Sequence, residues 1–182
     1  RIAEVEQPLL VGVELDRLED RGNIREEARL LASHGGHGAV LSRLHTASFD
    51  DGWSEADFVT WLNRKEAFAV LASREREAVA FGLALAAGDD AELLAIATSS
   101  SRRRSGLGRE IFHALDAEAQ YRPLKRWVLE VARNNLPALG FYKSEGFVEI
   151  GVRTDYYRTR EGRVDALVLS LPVGLVSGHK GA

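Results

Sequence analysis

The sequence predicts an α/β fold: a mixed central sheet with helices on both faces. Three observations lead there. Near Ala67 the hydrophobic spacing changes from a helical period to short β-like runs. Ala67–Ser73, Ala78–Ala86 and Glu92–Ala97 follow one another across charged or glycine-bearing turns, which reads as an antiparallel meander. An amphipathic stretch from Gly106 to Gln120 then leads to Arg126–Ala132. A crossover of that kind sets the strands on either side of it parallel.

Leu9–Leu15 has strand character. Asn23–Ala32 is predicted to be a helix, with Asn23 as N-cap and Ile24, Ala28 and Leu31 on one face. His34-Gly35-Gly36-His37-Gly38 is a breaker; its two histidines lack a third ligand, so a flexible turn is preferred to a metal site. Val40–Ala47 is a second helix. Ser54 caps a third, with Asp57 as an imperfect capping-box partner and Phe58, Trp61 and Leu62 as its buried stripe. In the crossover helix Leu107, Ile111, Ala114 and Leu115 share a face. A short helix runs from Pro137 to Ser144, preceded by Asn135 and left through Gly146. Phe147–Arg153 and Ala166–Leu171 close the chain as strands.

Composition narrows the function classes. The 182 residues, 45% hydrophobic, suit one domain with a sizeable core. Lys+Arg 24 against Asp+Glu 27 gives net charge −3, so nucleic acid is not the expected partner of the surface as a whole. The absence of cysteine excludes disulfides, thiolate metal sites and a Cys nucleophile. Val79–Ala87, the longest mainly apolar stretch, is far short of the ~20 residues a membrane helix needs. No membrane partner and a cytoplasmic location are expected. The chain also lacks methionine, even at its start, so either it begins beyond an initiator or methionines are missing from the sequence.

The segment richest in chemistry is Ile96-Ala97-Thr98-Ser99-Ser100-Ser101-Arg102-Arg103-Arg104-Ser105-Gly106-Leu107-Gly108-Arg109. A strand ends, a basic loop follows, and a helix begins with glycines in its first turn. Unpaired N–H groups and the helix dipole favour an anion there, and a diphosphate suits both. The GxxxxGK[ST] pattern is absent, and GxGxxG fails because Ile111 occupies the third glycine position. A solvated basic turn and a contact to an RNA backbone stay open beside the diphosphate reading. Glu130 lies within the strand Arg126–Ala132, either on a solvent face or in a cleft as a base. Tyr142 lies on the next helix, where core packing is the plain alternative to a chemical role.

Taken in order, these motifs resemble the GCN5-related N-acetyltransferases. Arg103-Arg104-Ser105-Gly106-Leu107-Gly108 matches that family's (Q/R)xxGx(G/A) signature. The finer resemblance is to the RimI-like branch, which acetylates the N-terminal alanine of a small-subunit ribosomal protein. It is carried by Ile96–Arg109, Leu129-Glu130-Val131, Asn135, Phe141-Tyr142 and Glu145-Gly146-Phe147. Arg153, Tyr156-Tyr157, Gly162-Arg163 and Asp165-Ala166 follow; Phe49, Trp53 and Ser54 form an upstream F-x-x-x-W-S segment, with His45 before it. The match spans roughly Gly38 to Val173 and runs without a gap from Glu92, which argues against missing methionines there. Thr98-Ser99-Ser100 departs from the Val, acidic residue and Pro that the family often carries.

The resemblance implies a GNAT fold in which acetyl-CoA lies between two splayed parallel strands, here Glu92–Ala97 and Arg126–Ala132. Main-chain groups of Ile96, Ala97 and Thr98 would pair with the pantetheine. Arg103, Arg104, Ser105, Gly106, Leu107, Gly108 and Arg109 would hold the pyrophosphate, and Asn135 would add a polar contact. Glu130 would be the base and Tyr142 the acid, with direct transfer in a ternary complex and no metal. Trp53, Tyr156 and Tyr157 would line a groove for the substrate, a protein N-terminus and most specifically that of a ribosomal protein. Acetylation of a small amine or a lysine is the alternative within the fold. A non-catalytic acyl-CoA-binding domain and an RNA-binding module are the alternatives outside it. The acetyltransferase domain is expected over 38–173, with an N-terminal extension at 1–37 and a flexible tail at 174–182.

Overall fold

The computed structural model describes residues 27–30, 37–49, 51–74, 77–159 and 162–176. The expected strand Leu9–Leu15 and the first glycines of the breaker lie outside them. Among the described residues seven strands form one sheet, in the order β1-β2-β3-β4-β5-β7-β6.

β1 (Glu27–Leu30) is the first departure from the sequence reading, which predicts a helix over Asn23–Ala32. Glu27–Leu30 instead pair antiparallel with the outer edge of β2 (Ala67–Arg74), from Glu27 opposite Ser73 to Leu30 opposite Val70. Helix-favouring residue types yield here to the open ladder groups of β2, a tertiary choice that propensity does not see.

The predicted meander is present. β2, β3 (Glu77–Ala87) and β4 (Asp90–Thr98) pair antiparallel in turn. Alternation along β2 separates two cores. Phe68, Val70 and Ala72 join the cluster under α3 (Leu107–Ala119), while Ala69 and Leu71 join Leu41, Leu44, Phe58 and Leu62 from α1 (Gly38–Thr46) and α2 (Glu55–Leu62). Helices therefore cover both faces. α2 starts at a complete capping box: Asp57 N–H donates to Ser54 Oγ at 3.2 Å, and Ser54 N–H donates to Asp57 Oδ2 at 2.8 Å. The Ser54 hydroxyl, which donates to Asp57 Oδ2 at 2.7 Å, and after it the Ser54 N–H hold the Asp57 carboxyl below its ordinary pKa.

α3 lies close on the sheet because β3 carries Gly82 beneath it. A Cβ there would stand 2.6 Å from Leu115 Cδ1 and 2.8 Å from Ile111 Cγ2. The crossover ends in β5 (Arg126–Ala132), parallel to β4 as expected. α4 (Leu136–Glu145) follows, capped by Asn135 and ended by Gly146 at φ 98°. β6 (Val148–Thr159) and β7 (Gly162–Pro172) form a longer hairpin than the sequence predicts, and β7 inserts between β5 and β6.

The flexible tail expected from residue 174 begins as packed chain. Gly174 N–H donates to Asp116 Oδ1 at 3.0 Å, and Val176 is buried in the main core. Asp116, itself buried, also accepts the Trp127 indole N–H at 2.8 Å and the Gln120 amide at 2.9 Å. Residues 177–182 lie outside the described residues. Among the described residues no helix is long and apolar enough to cross a membrane.

Candidate active site

The two parallel strands part company early. β4 and β5 pair only at Asp90–Arg126, Ala91–Trp127 and Glu92–Val128. β4 then runs on to Thr98 and β5 to Ala132 with no further pairing between them. A bulge helps turn β4 away: Ala95 faces Leu83 and Leu93 faces Ala84, leaving Leu94 unmatched. On its other side β4 stays paired to β3 through Ala80–Thr98. Ile96, Ala97 and Thr98 thus keep one main-chain edge open, as an added extended ligand requires.

At the mouth of this V the loop after β4 turns into α3. A single 3₁₀ turn, Ser100–Arg102, leads to Arg104 at φ 63° and Gly106 at φ 96°. Alternating handedness of this kind turns successive N–H groups toward one point, an anion-binding concavity. Among the described residues the N–H groups of Arg104 to Gly108 have no acceptor; the first bonds into the helix are Arg109 N–H and Glu110 N–H to Gly106 O. Ser105 Oγ is turned inward, donating to Arg102 O at 2.6 Å. Arg103 and Arg104 are exposed.

The two glycines differ in kind. Gly106 needs its positive φ. Gly108 is an ordinary helical residue whose Cβ would meet only Phe141 and Thr98, each at 3.9 Å. Nothing in the protein forbids a side chain at Gly108, yet glycine costs a helix about 1 kcal/mol relative to alanine. The open space above it is what a phosphate lying on the helix start would fill, so the residues fit a pyrophosphate-bearing cofactor.

Arg109 contributes more than its amide. Its Nε donates to Glu145 Oε1 at 2.7 Å, and His113 Nε2 bonds Glu145 Oε2 at 2.8 Å. Glu145 is fully buried at the end of α4. This tie fastens α3 to the helix that carries Tyr142. Asn135 uses Oδ1 to accept Ala138 N–H at 3.2 Å, so it is first a helix cap; its Nδ2 is left for a ligand.

Glu130 sits on the part of β5 that has left β4, half-buried beside β6. Arg153 Nη1 donates to its Oε1. Tyr157 Oη donates to the Glu130 carbonyl at 3.2 Å. The Glu130 carboxylate also stands beside the Tyr156 hydroxyl and holds its pKa up. Consecutive residues of a regular strand face opposite ways. Here both tyrosines reach the same residue because β6 bulges: Arg153 pairs with Ala166 and Tyr157 with Val164, leaving Thr154, Asp155 and Tyr156 against Asp165 alone. Asp155 takes φ 54°, and its N–H donates to Asp165 Oδ1 at 3.1 Å.

Tyr142 is buried next to this group. Burial, with Tyr157 as a nearby second cause, pushes its pKa well above the ordinary phenol value. Burial and the Glu130 charge raise Tyr157 to about 12. The Tyr142 ring packs edge-on against Phe147 at 5.4 Å. Trp53 lies apart from the tyrosine pair. Its ring stacks on His45 at 4.9 Å and on Trp61 at 5.9 Å, and its backbone N–H donates to His45 Nδ1 at 3.1 Å. Glu130, Tyr142, Tyr156 and Tyr157 therefore gather, while Trp53 belongs to the α1–α2 side. Arg153, the partner of Glu130, escapes a sequence reading of the site because β7 separates their strands.

A parted parallel pair, an amide-lined helix start at its mouth and a carboxylate on the departing strand define a GNAT-type acyltransferase. The chain belongs to the GNAT acetyltransferase family, whose model matches residues 39–147, and it is an N-acetyltransferase. Members of that family use acetyl-CoA. The chain is 33% identical over 124 residues to the [ribosomal protein bS18]-alanine N-acetyltransferase of Escherichia coli (strain K12), covering 68% of this chain and 82% of that protein. The Salmonella typhimurium protein of the same name is 33% identical over 123 residues with the same coverage. Among solved structures, the ribosomal-protein-S18-alanine N-acetyltransferase from Escherichia coli superposes with a TM-score of 0.74 at 26% identity, over 86% of this chain and 99% of that one. A ribosomal-protein-alanine N-acetyltransferase from Brucella melitensis shares the fold at TM-score 0.68 and 18% identity, over 79% and 98%.

Proposed function

We propose that the chain acetylates the N-terminal α-amine of a protein, with a ribosomal protein of the bS18 type as the specific substrate and the cytoplasm as the setting. The observation that carries this reading is the gathering of Glu130, Tyr142, Tyr156 and Tyr157 at the opening between β4 and β5. The likeness to alanine N-acetyltransferases supports the choice of acceptor.

Bound acetyl-CoA supplies an activated acetyl group as a thioester. The N–H groups of Arg104 to Gly108 would hold its pyrophosphate, assisted by the Arg103 and Arg104 side chains. The free edge of Ile96–Thr98 would take the pantetheine, and Asn135 Nδ2 would add a polar contact. Glu130 accepts the proton that the acceptor nitrogen loses as the new C–N bond forms. An α-amine has a pKa near 8 against about 10.4 for lysine, so a carboxylate suffices as base, directly or through one water. Tyr142 holds its proton at neutral pH because burial disfavours the phenolate, and its hydroxyl delivers that proton to the sulfur that leaves. Tyr156 and Tyr157 wall the acceptor side, and Trp53 would line the groove from the α1–α2 side.

The test is thiol release from acetyl-CoA with three acceptors: a peptide with a free N-terminal alanine, the same peptide blocked but containing lysine, and spermidine. The reading requires turnover with the free terminus and at least tenfold less with the other two. Preference for lysine or spermidine would refute it while leaving the family intact.

A further inference from the structure

We propose that Arg153 sets which amines the site accepts, by keeping Glu130 charge-balanced so that no lone carboxylate invites a cation. The inference rests on the α-amine reading above.

Arg153 and Glu130 lie on β6 and β5, two strands apart with β7 between them. Strands are about 4.8 Å apart, so only a long side chain spans that gap. The intervening residues on the same face are Val168 and Ala166, and Gly151 faces Val168, so nothing bulky or charged interrupts the reach. The guanidinium is also held over the Tyr156 ring, 4.1 Å from its centroid. The carboxylate and the ring together hold it.

The charged and titratable neighbours are few. β6 supplies Tyr156 and Tyr157, α4 supplies Tyr142 beside Tyr157, and β4 supplies Glu92 beside Tyr156. β7 supplies none at Ala166 or Val168; Asp165 is turned to Arg133. With Arg153 present, the Glu130 carboxylate carries a matched cation, and Glu92 adds a second negative charge beside Tyr156. An ammonium entering the site then gains little and meets a guanidinium. Near pH 7.5 about a quarter of an α-amine is already neutral, against about one part in a thousand of a lysine-type amine. Charge balance at Glu130 therefore favours the α-amine. Without Arg153, Glu130 and Glu92 would together draw cationic acceptors.

The experiment compares wild type, Arg153→Gln and Arg153→Lys from pH 6 to 10, with the free-N-terminus peptide and with spermidine. In Arg153→Gln the KM for spermidine should fall, and the kcat/KM ratio of spermidine to peptide should rise about tenfold. The acidic limb of kcat for the peptide should move up by about one pH unit, because loss of a nearby cation favours the protonated amine. Arg153→Lys should keep both near wild type. Equal loss with both acceptors, or an unchanged ratio and limb in folded protein, would overturn the role of Arg153. Wild type failing on the peptide would instead overturn the α-amine reading, and this proposal with it.

Discussion

Arg109 in the first turn of α3 donates to Glu145 at the end of α4 across 2.7 Å, though 36 positions separate them. His113 takes the other oxygen of the same buried carboxylate. The helix that would hold the cofactor and the helix that carries Tyr142 are thereby one unit. Glu145→Gln keeps the shape but loses two charge-assisted bonds, so the protein should lose about 1–3 kcal/mol in urea unfolding. The Kd for acetyl-CoA should rise with it. An unchanged unfolding midpoint would show that the tie carries no stability.

Two glycine substitutions should differ sharply in cost. Gly82→Ala puts a methyl into Leu115 and Ile111, both fully buried, and should cost about 1–3 kcal/mol by overpacking. Gly108→Ala meets only ordinary contacts, so stability should hold or rise by up to about 1 kcal/mol. The family signature admits alanine at this position, so acetyl-CoA binding measured by calorimetry should stay within about threefold of wild type. A tenfold or greater weakening would show that the helix start meets its ligand more closely than a small side chain allows.

His45 gives the fold a pH dependence of definite sign. Burial lowers its pKa below 6.5, and its Nδ1 accepts the Trp53 N–H, which only the neutral ring at that nitrogen can do. A depressed folded-state pKa means that the stability is present above pH 6.5 and is lost as pH falls from there through the folded value. Each unit of depression is worth about 1.4 kcal/mol. Wild type should therefore lose more stability between pH 7.5 and 5.5 than His45→Gln, measured by urea midpoints. Equal losses would remove His45 from the account.

The tyrosines make a prediction at the other end of the scale. Tyr142 is held well above the ordinary phenol pKa, and Tyr157 is raised to about 12. The proton that Tyr142 is to deliver stays in place throughout an ordinary assay. The rate with an α-amine acceptor should climb through about pH 8 and then stay level to about pH 10. A fall in kcat between pH 8.5 and 10, with the protein still folded, would point to a different acid.

Much of this was legible because local signals agreed with the fold. The meander, the crossover and both glycine ends of the helices lie where periodicity and turn chemistry put them. Three things were hidden, each for a physical reason. Glu27–Leu30 carry helix-favouring residues, and only the open edge of β2 makes them a strand. β6 runs on to Thr159 through residues without apolar alternation, held by the bulge at Asp155 and by β7. The Arg153–Glu130 pair depends on the strand order β5-β7-β6, which no spacing along the chain encodes. Of the site, the basic loop leading into Gly106 and Gly108 was visible in the residues alone, with a solvated turn open beside an anion site. The roles of Glu130 and Tyr142 came only with the family resemblance, since each alone reads equally well as packing or surface.

The central claim is that Glu130 and Tyr142 move protons for an α-amine acceptor. The most direct measurement is kcat for Glu130→Gln and Tyr142→Phe on the free-N-terminus peptide, beside the calorimetric Kd for acetyl-CoA. Each variant should lose about a hundredfold or more in kcat, as general acid–base groups do, while the Kd stays within about twofold of wild type. Wild-type kcat in either variant, or a loss found entirely in the Kd, would contradict the account.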